Sequence, residues 1–187
     1  MLQYLSPDNK VVTMLFLKWL GMDVEAPKAE ELINAIRSSL DPIFLPALRR
    51  VLGINVDCRK ECSRLSNAEI CNMACTAADG DKHALKELIE FIRGIKPDLA
   101  DALANFSPRA IVQALAPKSS LGMLALILNA LLSNDYESAK AIAIVGEYAS
   151  NVRILKQLFG DLHKAIDEGG NVDGIKLALA KLYYLQV

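Results

Sequence analysis

Histidine is almost missing from this chain: His83 and His163 are the only two, and they stand far apart. That leaves little for His-centred acid–base chemistry or for an imidazole-built metal cluster. No Glu-x-x-His pair occurs, so the carboxylate–histidine metal site of helical bundles is not encoded. Asp161-Leu-His163 has the composition of half an acid–base pair, but a polar helix face accounts for it. A glycine-rich phosphate loop, a G-x-S-x-G elbow and a C-x-x-C redox motif are all lacking. Asp167–Asp173 has calcium-loop colouring without the alternating ligands and terminal glutamate of an EF-hand, and reads as a helix–helix turn. No catalytic residue and no cofactor-binding residue is therefore assigned.

An excess of either charge is missing too. The net charge is −1, so the molecule as a whole has no electrostatic pull towards nucleic acid or anionic lipid, and any such binding must rest on a local patch. Long apolar runs are absent. The longest, Leu121–Leu132, is interrupted by Asn129 and falls short of the roughly 18 residues a membrane span needs. The first ten residues carry no basic leader, so a soluble protein of the cytoplasm is expected, or of a virion if the source is viral. Alternating strand patterns are absent as well; Val11-Val12-Thr13 is the one β-branched cluster and it runs into a helical stripe. There is no repeat of fixed period and no Gly/Ser/Pro-rich linker.

What is present is helix punctuation. Ser6-Pro7, Asp41-Pro42 and Ser107-Pro108 place an oxygen acceptor before a proline at the first helical position. Ser66-Asn67-Ala68-Glu69 has capping-box spacing, and Gly21, Gly53, Gly94 and Gly169-Gly170 stand where left-handed C-caps belong. Apolar stripes such as Leu85, Leu88, Ile89, Ile92 and Ile154, Leu155, Leu158, Phe159, Leu162, Ile166 recur at helical intervals. Together these predict helices over 7–20, 28–40, 42–52, 58–65, 67–77, 82–94, 97–105, 108–116, 120–133, 135–149, 151–168 and 173–186. The fold class is all-α, one domain over 1–187, an irregular bundle or array of about ten to twelve short helices. Its N-terminal half (about 1–96) holds every cysteine; its C-terminal half (about 97–187) is rich in Ala and Leu and poor in charge up to residue 134. Residues 97–134 are expected to form the central core or a subunit interface.

The most specific feature is Cys58-Arg-Lys-Glu-Cys62 followed by Cys71-Asn-Met-Ala-Cys75. Spacing of i, i+4 puts both sulfurs of a pair on one helix face, and the simplest arrangement is an antiparallel hairpin near 58–77. In it Cys62 faces Cys71 and Cys58 faces Cys75. Three readings remain open: two interhelix disulfides, a four-thiolate zinc or iron–sulfur site, or four buried thiols packing as small hydrophobes. Over about twenty residues the pattern resembles the twin CX3C arrangement of small mitochondrial import chaperones, which implies the disulfides; the rest of the chain is unlike them. Stapled, proline-capped helices would suit a thermophilic source.

Arg49, Arg50, Arg59, Lys60 and Arg64 form the best candidate phosphate-binding cluster, offset in part by Asp57 and Glu61. The competing assignment is a solvated face, because no aromatics are interleaved. Among the few aromatics, Phe16 is expected in the core, whereas Trp19 and one of Tyr183 and Tyr184 are candidates for exposed anchors. A chain with 52% apolar residues and no site chemistry is expected to be a non-enzymatic helical assembly protein, a structural subunit of a complex or shell that self-associates or binds a protein partner. The alternative is a nucleic-acid-binding helical subunit. In size and make-up the chain resembles small subunits of archaeal CRISPR effector complexes and archaeal viral nucleoproteins.

Overall fold

Helical apolar spacing and side-chain caps translate directly into the architecture of the computed structural model, which describes residues 5–186. Twelve α-helices follow one another among the described residues: α1 (Pro7–Trp19), α2 (Ala29–Ala35), α3 (Leu45–Val51), α4 (Cys58–Ser63), α5 (Ala68–Ala78), α6 (Lys82–Ile95), α7 (Pro97–Leu103), α8 (Pro108–Leu115), α9 (Ser120–Leu132), α10 (Tyr136–Ala149), α11 (Arg153–Asp167) and α12 (Val172–Gln186). The fold is all-α, with a single antiparallel bridge between Leu40 and Pro117 and no strand among the described residues.

Local punctuation succeeds where a side chain has no better partner. Ser107 accepts from the Ala110 N–H at 3.3 Å, and Asp57, Asp81, Ser119 and Asp135 cap α4, α6, α9 and α10 in the same way. It fails where one exists. Ser6 donates its hydroxyl to the Asp8 carboxylate at 2.5 Å and caps nothing. Asp41 instead accepts from the Ile43 N–H in a turn, so the helix expected from residue 42 begins at Leu45. The Ser66–Glu69 capping box does not form; α5 is entered from Asn67 without a side-chain cap. Gly94 lies inside α6, which ends at Lys96 in extended conformation, and a left-handed glycine not expected there, Gly80, follows α5. The segment 28–40 splits into α2 and a 3-10 turn (Arg37–Ser39), because Leu40 is drawn into extended conformation beside Pro117. There the Asp41 N–H donates to the Ala116 carbonyl and the Lys118 N–H to that of Ser39.

The charge-poor segment resolves into core. Residues Gly122–Leu128, Ala130 and Leu131 of α9 are buried, with α1 against one side and α10 against another. A helix surrounded this way loses the amphipathic stripe of a surface helix and is apolar all round. The α5–α6 pair packs on α3 and α7; at the other end α11 packs on α10, and α12 on α11, α9 and α1.

A polar chain that runs from the buried Gln113 and Ser138 out to the surface joins these layers. Gln113, fully buried on α8, donates to Ser138 Oγ at 3.1 Å; Ser138 donates to Asp135 at 2.7 Å; Arg109 donates to Asp135 at 2.9 Å and to the Val51 carbonyl. Partial burial opposes ionisation of Asp135. The Ser138 hydroxyl, Arg109 and the Ser138 N–H together outweigh it and hold the carboxyl below its ordinary value. A depressed folded-state pKa contributes stability above the unfolded-state value near 3.8, and that stability is lost as pH falls through the folded value. Asp135→Asn, which keeps a capping oxygen but loses the charge facing the part-exposed Arg109, is expected to cost about 0.5–1 kcal/mol at neutral pH. The penalty should shrink once the pH is low enough to protonate the wild-type carboxyl. Denaturant titrations at both pH extremes check this, and a pH-independent penalty would contradict it.

Candidate interaction surface

The cysteine hairpin forms as its spacing requires. Antiparallel α4 and α5 bring Cys62 and Cys71 to 2.08 Å between sulfurs, with Cα atoms 5.5 Å apart, and Cys58 and Cys75 to 2.19 Å and 6.2 Å. Both pairs are at disulfide-bonding distance and all four residues are buried. Among the described residues, no group of three or more His, Cys, Asp or Glu side chains is placed to hold a metal ion.

Of the five cations of the basic cluster, Arg50 and Arg59 line one depression, and carboxylates stand among them. Arg50 donates to Asp79 at 2.6 Å and to the Val56 carbonyl at 2.7 Å, which ties α3 to α5 and to the 52–57 loop. Arg49 lines a cleft of about 390 Å³ together with Glu30, Asp57 and Glu61. Arg59 shares a depression with Asp57 and Asp79, and Arg64 lies 3.7 Å from Glu61. Lys60 is exposed on α4, where its N–H donates to Asp57.

His163 does not pair with Asp161. Its Nδ1 faces Glu147 of α10 at 3.3 Å and its Nε2 faces Asp167 at 3.1 Å, while Lys140 also meets Asp167. Nδ1 thus bridges α11 to α10, whereas the Nε2 contact stays within α11.

The surface that sequence reading did not locate lies on the outer side of the α11/α12 hairpin. A groove runs between the two helices. Its half near the α11–α12 turn has a volume of about 240 Å³ and is lined by Leu158, Asp161, Lys164, Ala165, Leu177 and Lys181, among others. It continues into a second depression of about 430 Å³ formed by Ile154, Leu158, Asp161, Lys181, Tyr184 and Leu185. Large apolar side chains stand free along it: Tyr184 is 83% exposed, Leu177 58%, Ile154 53% and Leu185 47%. The exposed tyrosine is Tyr184. Tyr183 turns inward to stack on Phe16 at 4.7 Å and meets Thr13 Oγ1 at 2.8 Å. Trp19 is half-buried against the core rather than an anchor.

Comparison with protein-family models, with curated proteins and with solved structures finds no match.

Among the described residues no helix is long and apolar enough to cross a membrane. The exposed groove is thus not part of a spanning helix. A hint of it was present in the sequence. Ile154 opens the α11 stripe but sits about 140° around the helix from Phe159. A stripe that wide cannot all face one neighbour.

Proposed function

We propose that this protein is a non-enzymatic helical assembly subunit that docks a protein partner or another copy of itself through the α11/α12 groove. The observation that carries this is the alignment of Ile154, Leu177, Tyr184 and Leu185 along one continuous groove. Scattered exposed apolar residues are ordinary, whereas an aligned set rimmed by charged residues has the composition of an interface. A large tyrosine beside aliphatic side chains is also the usual chemistry of a binding anchor.

Nucleic-acid binding draws less support. A phosphate track needs cations free of carboxylates. Arg49, Arg50, Arg59 and Arg64 each share their surroundings with Asp or Glu.

Protein purified from its natural source should elute with a mass above the 20.4 kDa of one chain and without nucleic acid. Leu177→Glu with Tyr184→Glu should dissolve that complex while leaving helix content unchanged, because both side chains are exposed. A bare monomer from the natural source, or co-eluting nucleic acid lost on reversal of Arg59, Lys60 and Arg64, would overturn the proposal.

A further inference from the structure

We infer that the α11/α12 groove is closed by a second copy of this chain, on a two-fold axis running along the hairpin, giving an antiparallel four-helix bundle; this rests on the docking role proposed above.

The first support is charge. Asp161 projects from the middle of α11, and Lys181 from α12 at the same level, since both line the same two depressions. Neither takes part in an ion pair among the described residues, and nor does Lys164. A two-fold interface must be complementary to itself, so one patch has to carry both signs. Rotation about an axis along the hairpin lays α11 on α12 of the second copy. Asp161 then meets Lys181 of the second copy, and the same pair forms again by symmetry. An anionic partner, by contrast, would face Asp161 with a like charge in the middle of the groove.

The apolar residues obey the same symmetry. Ile154 on α11 and Tyr184 and Leu185 on α12 share one end of the groove. The axis along the hairpin keeps that end over itself, so Ile154 packs on Tyr184 and Leu185 of the second copy. An axis across the hairpin would instead set this end on the opposite one, where Leu177 is the one large exposed apolar side chain among Lys164, Glu168 and Asn171.

Helix direction agrees. α11 and α12 are antiparallel within a chain, so each α11 also runs antiparallel to the α12 it meets, and neighbouring helix dipoles oppose one another. Each helix has 15 residues, so the face is about 22 Å long and about 20 Å across. Stacking two such faces buries on the order of 1,000 Å² in all, the area at which specific interfaces begin.

A charge exchange tests this by sedimentation equilibrium on the recombinant chain alone. The wild type should dimerise. Asp161→Lys and Lys181→Asp should each weaken the homodimer by more than about tenfold, because each sets like charges against one another twice. Mixing the two variants should restore association to within about threefold of the wild type. Circular dichroism controls for folding. A wild type that stays monomeric, while the native complex still depends on Leu177 and Tyr184, would overturn the second copy but keep the groove as a docking site. A dimer indifferent to both exchanges would overturn this geometry. A native complex indifferent to the groove variants would remove the docking role as well.

Discussion

Reduction of the two disulfides is expected to lower the free energy of unfolding by about 5 kcal/mol in total. The cross-links span 17 and 9 residues, and each closed loop of this size contributes about 3 kcal/mol through the entropy of the unfolded chain. Their sum falls slightly short of additive, because the shorter loop is nested in the longer and leaves less free chain for the second closure. The loss should be local at first. α4 has six residues, far fewer than the dozen or so an unsupported helix needs, and its buried face is Cys58 and Cys62. Amide exchange should therefore accelerate in 58–63 on adding reductant, while α9 and α10 keep their protection. Cys62→Ser with Cys71→Ser should reproduce part of the effect. A stability curve indifferent to reductant but lowered by a chelator would replace the disulfides with a four-thiolate metal site.

Gly146→Ala is expected to destabilise the protein by about 2–3 kcal/mol, against the ordinary sign of this substitution in a helix interior. Alanine normally gains close to 1 kcal/mol over glycine there. At position 146 the added carbon would lie 2.5, 2.6 and 2.7 Å from Cγ, Cδ2 and Cδ1 of Phe159, where comfortable carbon contacts begin near 3.5 Å. Phe159 is fully buried and cannot swing into solvent. α10 and α11, which make the most extensive helix–helix contact of the fold, would have to move apart. Phe159→Leu in the Gly146→Ala background should recover part of the loss, and a double-mutant cycle by denaturant unfolding should show coupling above about 1 kcal/mol. Additive effects would mean that the two helices do not meet at this glycine. The same substitution should also weaken self-association, since α10 is the support that sets the tilt of α11.

Much of the fold was legible because it follows from short-range rules. Helical periodicity in Leu85, Leu88, Ile89 and Ile92 marks α6, and the acceptor at Ser107 marks α8, to within a residue or two. The cysteine pairing was legible for the same reason, since i, i+4 spacing on two linked helices leaves one simple antiparallel register. Position by position, the misreadings share a cause. Ser6 found Asp8, Asp41 found the turn at Ile43, and the backbone beside Leu40 found that beside Pro117. Each is a choice between two adequate hydrogen-bond partners, and some of the winners lie far along the chain.

The basic cluster illustrates the same limit at the surface. Five cations close in sequence look like a patch, but Asp79 of α5 and Glu30 of α2 arrive from other elements to stand beside Arg50 and Arg49. The groove is the converse case. Leu177 and Leu185 look no different from the core leucines of α12, and the angle of Ile154 from Phe159 and the adjacency of Tyr183 and Tyr184 only hint that something is left bare.

By itself, then, the sequence determined an all-helical chain, the approximate extent of its helices, the antiparallel register of the cysteine hairpin and the apolar character of α9. These depend on neighbours within a turn or two, or on a pairing that connectivity forces. Only the tertiary structure decided which apolar residues are covered and which charges are already spoken for. A helix with an apolar arc wider than one neighbour can bury leaves part of that arc bare. Which part is set by where α10 and α12 sit against α11, through the long-range packing of Phe159 on Gly146 and of Tyr183 on Phe16.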